Sequence, residues 1–372
     1  MKKELAEALL AKTMNWSDEQ KASERARLES FATYKYDEYQ QFSPGRRFVE
    51  SLALWLLQFE EGAEREAAYR FVCQRLVFIS SAELNHLVEL TFPTKIRGRL
   101  IADAANDCGI EPIRLNAVMK SNAYRARLRR TLVLGLSDGA RTDQFRRFNP
   151  LDISHEQVFH AYDVSNAKAD GLVGKLKKDL GQILGEPPSD EDASFQYVVL
   201  LDDFTASGTS YIREDEEIEW DGKIPRIIRE LEKADGLGGA VASSGVKVLV
   251  VIYVAADQAI NHIIERLPNL KFSKGDIELE IVHPLNPETK LERPRDEAIL
   301  DLAAKPENFD PAADDEHNEL VGKSKRLGYA DCRLPLVLDH NTPNNSIYLL
   351  WAEDVHYVRG LFPRVSRHRK FE

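Results

Sequence analysis

Four consecutive apolar residues, Val198, Val199, Leu200 and Leu201, run without alternation into two adjacent acids, Asp202 and Asp203, and then into the small hydroxylated stretch Phe204-Thr205-Ala206-Ser207-Gly208-Thr209-Ser210. An apolar run with no polar face fits a strand covered on both sides, the condition of an interior strand in a parallel sheet. Similar runs occur at Thr131–Leu136, at Val246–Ala255, where Asp257 follows as a candidate N-cap for a helix carrying Ile260, Ile263, Ile264 and Leu267, and at Ile277–Val282. Strands alternating with helical patterns predict an α/β fold built on a parallel sheet. In such open sheets ligands bind beyond the carboxyl ends of the strands. The segment Thr205-Ala206-Ser207-Gly208-Thr209 would meet a phosphate there with backbone N–H groups, hydroxyls and the N-terminus of a following helix. Two carboxylates would repel that phosphate. Asp202 and Asp203 are therefore expected to accept hydrogen bonds from neutral hydroxyls, or to hold water around Mg²⁺.

A vicinal diol beside a phosphate describes ribose 5-phosphate, and residues 197–210 resemble the 5-phosphoribosyl-1-pyrophosphate (PRPP) signature of type I phosphoribosyltransferases. Where that signature has Gly-Gly near the end of the loop, this chain has Ser207-Gly208. A dehalogenase-type phosphatase strand fits less well, because its acids are separated by one residue and Phe204 stands at that place. The resemblance implies a Rossmann-like parallel sheet of the phosphoribosyltransferase kind, PRPP as ligand and Mg²⁺ as cofactor. It also implies a pyrophosphate loop after the first core strand, which maps onto Ser137, Asp138, Gly139, Ala140 and Arg141, with Arg141 as the balancing charge. Lysines in or after Asn166–Gly171 fall where family members carry a mobile catalytic loop. The implied chemistry is transfer of the phosphoribosyl group to, or its removal from, a base or nucleotide. A non-catalytic module that senses PRPP or a nucleotide is the alternative, and a nucleotide-directed toxin-like effector is a third reading.

The remaining residues bound these readings. Hydrophobic residues make up 43% of the 372, enough for a large α/β core and a smaller one, and the net charge of −11 argues against a general binder of nucleic acid or membrane surfaces. No apolar run approaches the length of a membrane span, and the charged start Met-Lys-Lys-Glu lacks the pattern of a signal peptide, so a cytoplasmic protein is expected. Cys73, Cys108 and Cys332 match no zinc spacing and read as buried reduced thiols.

Residues 1–115 are expected to form a helical region: Leu52, Trp55, Leu56 and Phe59, then Ala68, Phe71, Val72, Leu76 and Ile79, recur at helical spacing. Ser80 to Glu83 has the form of a capping box for a third helix, with Pro93 beyond its end. Residues 116–372 would then form the α/β domain, with polar insertions at 185–192, 214–222 and 305–319. Between Lys95 and Arg147, twelve Lys or Arg face five acids. That excess reads either as a solvated helix face or as a surface for a protein or nucleic-acid partner. Near the end, Asn341, Asn344 and Asn345 crowd a polar turn before Trp351. A plain turn accounts for them, and so does a C-terminal hood in which the amides read a base edge and Trp351 stacks on its face. With the helical N-terminal region, this stretch is also similar to the phosphoribosyltransferase-like proteins of bacterial conflict and antiphage systems, which implies a defence effector.

Overall fold

The computed structural model describes residues 2–161, 165–314, 324–353 and 357–364. It divides into two compact units, Leu84–Leu285 and the pair of segments Met1–Glu83 with Asn286–Glu372. The compact units thus divide at Leu84 rather than near residue 115, and the C-terminal segment groups with the N-terminal helices.

The Leu84–Leu285 unit carries a five-stranded parallel sheet: β1 (Thr131–Gly135), β2 (Val158–His160), β3 (Tyr197–Thr205), β4 (Val246–Ala255) and β5 (Gly275–Pro284). Their spatial order is β2-β1-β3-β4-β5. The fold is α/β and Rossmann-like, as the apolar runs predict. In β3, Val198 and Leu200 face a layer made by Leu172, Leu176 and Leu180 of α1 (Asn166–Leu184) and Ile224, Ile227, Ile228 and Leu231 of α2 (Lys223–Glu232). Val199 and Leu201, also fully buried, point to the opposite face because strand side chains alternate. The chain runs outward in one direction from β1 to β2 and then crosses to the other side of β1 to form β3. That reversal leaves a crevice between the carboxyl ends of β1 and β3, the usual place for a ligand in such a sheet.

Three local expectations are corrected. Pro93 lies beyond the helix Ser81–Thr91, but the chain does not stop there: a π-helical turn, Phe92–Ile96, absorbs the proline and leads into the helix Arg97–Cys108. Asp257 is the first residue of α3 (Asp257–Arg266), whose N-cap is Ala256. No helix starts directly after the Thr205–Thr209 loop. A turn is followed by an antiparallel ribbon, Arg213–Asp215 with Glu219–Asp221, and only then by α2. Asp215 accepts hydrogen bonds from the N–H groups of Glu217 and Ile218, closing the ribbon's turn, and buried Asp221 holds Arg213 and Arg226. The acid-rich stretch 214–222 is thus ordered by its own charges.

In the other unit the helix Gly62–Gln74 ends before Leu76 and Ile79, both expected on it, and Ile79 instead closes a short strand, Val77–Ile79, that pairs in parallel with Leu336–Leu338. Of the cysteines expected to be buried, Cys332 is, Cys73 is partly so and Cys108 is exposed. Phe362 sits among Tyr36, Tyr39, Phe42, Phe48 and Phe78. The expected capping box forms: Ser80 N–H donates to Glu83, and Glu83 N–H donates to the Ser80 hydroxyl. Among the described residues no helix is long and apolar enough to cross a membrane. The polar stretch 305–319 lies partly outside the described residues.

Candidate functional site

The loop after β3 is built around Gly208. Its φ is +81°, and a side chain there would place Cβ 2.8 Å from His262 Cδ2 and 3.1 Å from the Ala259 carbonyl oxygen, both on α3. Glycine lets the loop lie directly on that helix. The Gly208 carbonyl accepts hydrogen bonds from the N–H groups of Tyr211 and Ile212 at 2.9 and 3.2 Å, turning the chain back. Ser207 and Thr209 hydroxyls lie 3.0 Å apart. Among the described residues, no carbonyl or side-chain oxygen accepts from the N–H groups of Ser207, Gly208 or Thr209. Consecutive N–H groups left in this way at a turn make a concavity that suits an anion.

The loop after β1 faces it across the crevice. Ala140 N–H donates to the Ser137 carbonyl at 3.1 Å, and the buried Tyr253 hydroxyl of β4 donates to the Ala140 carbonyl at 2.6 Å. Arg141 has φ +48° and ψ +41°, a left-handed conformation uncommon for a side chain of that size. Its guanidinium donates to Asn85 Oδ1 at 2.9 Å. Asp138 is exposed to solvent, where water screens its charge from an anion held by the loop.

Asp202 and Asp203 occupy adjacent positions of β3 and so point to opposite faces of the sheet. Asp202 is fully buried. Its Oδ1 accepts from the Ser137 hydroxyl, and its Oδ2 accepts from the Tyr211 hydroxyl at 2.6 Å and from Lys223 Nζ. Burial pushes the Asp202 carboxyl upward and the Asp203 charge adds to that, while Lys223 pulls it back. Burial likewise raises the Tyr211 hydroxyl well above its ordinary range, reinforced by both acids. Lys223 Nζ also lies 5.0 Å from the centre of the Tyr211 ring. Asp203 is half-buried. Its Oδ1 accepts from Phe204 N–H at 2.8 Å, and its Oδ2 lies so close to Gly139 that a Cβ there would come within 2.2 Å. Gly139 is therefore a point of close approach, and Asp203 faces the β1 loop. The two strands thus bring the sequence-predicted residues Ser137–Arg141 and Asp202–Thr209 to one end of the sheet.

The sequence matches the PRTase-CE family over residues 52–364. The chain belongs to the PRTase-CE family. The family is of the phosphoribosyltransferase type, as residues 197–210 lead one to expect. No curated protein and no solved structure matches the chain.

Within this PRTase-CE chain, four side chains that support the site lack any local sequence signal: Tyr211, Lys223, Tyr253 and His262. His262 Nε2 lies 2.8 Å from the Ile212 carbonyl and fixes the exit of the Gly208 turn. Burial lowers its pKa and so favours the neutral ring, while the bond to the Ile212 carbonyl works the other way. Only the periodicity of β4 and α3, which puts Tyr253 on the Asp203 face and His262 next to Ile263 of the core, carried a trace of them.

Other expected contributors make contacts within their own units. Asn166–Gly171 forms the first turns of α1, capped by Ser165, and its lysines lie on a helix surface: Lys168 stands over the Phe159 ring, Lys175 pairs with Glu156 and Lys177 with Asp190. Much of the basic segment 95–147 is neutralised inside its own unit. Lys95 pairs with Glu280, Arg97 with Asp152, Arg99 with Glu278 and Glu280, Arg127 with Asp107, and Arg129 with Asp179. In the other unit, the Asn344 carbonyl accepts from Tyr329 N–H at 2.7 Å, and the Asn345 amide donates to the Tyr329 carbonyl at 3.4 Å. Asn341 pairs with Leu338 through backbone bonds in both directions. Trp351 is buried, its indole N–H on the Ser346 carbonyl at 2.9 Å and its ring edge-on to Tyr348. A ring held in that core has no open face for a base, and proximity in sequence to an amide-rich turn did not reveal its burial.

Proposed function

We propose that the protein binds PRPP, or a ribose 5-phosphate nucleotide, at the carboxyl ends of β1 and β3, and transfers the phosphoribosyl group to a nitrogen of a base or nucleotide. The observation that carries this reading is the row of N–H groups at Ser207, Gly208 and Thr209 with no acceptor among the described residues, beside the acids of β3. That cup would take the 5-phosphate, and the loop Ser137–Arg141 would take the pyrophosphate. In the reaction the bond from C1 of the sugar to the pyrophosphate oxygen breaks, its electron pair leaves with pyrophosphate, and the acceptor's lone pair forms the new bond at C1.

The described residues contain no group of three or more His, Cys, Asp or Glu able to hold a metal ion by themselves. Two carboxylates nevertheless fit Mg²⁺, which commonly shares its coordination between one or two carboxylates, water and substrate oxygens. Mg²⁺ held through water near Asp203, the acid of the pair that is not fully buried, would offset the charge of the departing pyrophosphate. The protein's own contribution is positioning: loops on two adjacent strands hold the two ends of the sugar phosphate, which makes the step effectively unimolecular.

The test is incubation of the purified chain with PRPP, Mg²⁺ and a panel of bases and nucleotides, following pyrophosphate, beside calorimetric titration with PRPP. Release that depends on an acceptor supports transfer. Binding without release under every acceptor points to a sensing module, and absence of binding removes the assignment of both loops.

A further inference from the structure

The two acids of β3 differ in what they touch. Asp202 is fully buried, and its carboxylate joins three separate segments: the β1 loop through the Ser137 hydroxyl, the end of the Gly208 turn through the Tyr211 hydroxyl, and the start of α2 through Lys223. Tyr211 is fully buried as well, and its N–H is one of the two that close the turn on the Gly208 carbonyl. Asp202 therefore links the loop after β1 directly to the end of the Gly208 turn. Asp203 points to the other face, is half-buried and lies against Gly139. Resting on the reading above, we propose that Asp202 is a positioning residue that sets the spacing between the phosphate and pyrophosphate loops, with Lys223 as its built-in counter-ion, and that Asp203 is the acid that meets the ligand and Mg²⁺.

The physical basis is the internal cation. A carboxylate already holding an ammonium and two hydroxyl donors in a dry setting is costly to redirect toward a sugar hydroxyl, since its present partners would lose their acceptor. Its effect on a ligand is transmitted through the loops. A ligand that occupies only one loop is indifferent to their spacing, whereas one that spans both depends on it.

Ribose 5-phosphate and PRPP separate these cases, because the first fills the phosphate cup alone and the second reaches both loops. The experiment is calorimetric titration of the full chain with each, with and without Mg²⁺, for the wild type, Asp202→Asn, Asp203→Asn and Tyr211→Phe. Asp202→Asn is expected to leave ribose 5-phosphate affinity within about threefold of wild type and to weaken PRPP by on the order of tenfold or more, while the Mg²⁺ dependence of whatever binding persists is retained. Asp203→Asn is expected to abolish the Mg²⁺ dependence. Tyr211→Phe removes one buried hydroxyl that no ligand reaches, and should lower the preference for PRPP over ribose 5-phosphate in the same direction even if Asp202→Asn does not fold. Equal weakening of both ligands in Asp202→Asn, or no change in Tyr211→Phe, overturns the assignment while leaving the PRPP reading in place. A wild-type chain that binds neither ligand overturns both.

Discussion

Replacing Gly208 with alanine puts the geometry of the turn after β3 to a quantitative test. The residue has φ +81°, a conformation that an L side chain enters at a cost of about 1–2 kcal/mol. The new methyl would also sit 2.8 Å from His262 Cδ2 and 3.1 Å from the Ala259 carbonyl oxygen. The imidazole is not loose, because its Nε2 is bonded to the Ile212 carbonyl at 2.8 Å, and the carbonyl belongs to the backbone of α3. Overpacking of this kind adds about 1–3 kcal/mol, so Gly208→Ala should destabilise the chain by about 2–5 kcal/mol in all. The assay is equilibrium urea unfolding of the wild type, Gly208→Ala, His262→Ala and the double variant. Removing the ring relieves part of the clash but none of the dihedral cost. The penalty for Gly208→Ala in the His262→Ala background should therefore fall toward about 1–2 kcal/mol, giving a clear coupling energy. A penalty below about 0.5 kcal/mol in both backgrounds, the range of an ordinary surface substitution, would falsify the claim that the loop is pressed against α3 in a left-handed turn.

The neutral His262 ring makes part of the stability sensitive to acid. Its folded pKa is lowered, chiefly by burial, from an ordinary 6.5, so its contribution is present above that value and declines as pH falls through it toward the folded value. Urea midpoints at about pH 7.5 and about pH 5 should differ less in His262→Gln than in wild type, and equal differences would show that the ring does not titrate with folding. Asn345→Ala should lower stability by about 1 kcal/mol through loss of the bond to Tyr329, with PRPP affinity unchanged. Unaltered stability together with weakened ligand binding would instead give this amide a place in recognition.

What could be read in advance follows from how far apart the interacting residues lie in the chain. β3 and β4 announce themselves because both faces of each strand are covered, so Val198–Leu201 and Val246–Ala255 are apolar at every interior position but one. The loops at 137–141 and 205–209 follow such strands directly and were legible for the same reason. The edge strand Val158–His160 was not. Three residues with one face half-exposed carry no periodic signal. Val77–Ile79 acquires its identity only from Leu336–Leu338, far along the chain, and local propensity holds no record of such a partner. The acid pair shows the same limit in the site. Alternation alone says that Asp202 and Asp203 diverge, but nothing near them says that a lysine beyond an intervening ribbon will turn back to neutralise the first. The ribbon looked like a solvated loop because its acids are counted easily in sequence, whereas the arginines that order it are recognised only once Asp221 is seen buried among them.

The unit that holds Phe362 among the N-terminal aromatics is assembled from two stretches separated by the whole sheet-bearing unit, about 200 residues. On a ribosome working at roughly 5–20 residues per second, the helix carrying Phe48 and Trp55 would wait on the order of 15–60 s for Leu349 and Phe362, which cover it. The sheet and the loops after β1 and β3 can be complete before those two residues emerge. Newly made chains would therefore pass through a stage in which the carboxyl end of the sheet is formed while a large apolar surface at the amino end stands open, and that surface is where a chaperone or a premature contact with a second nascent chain would act.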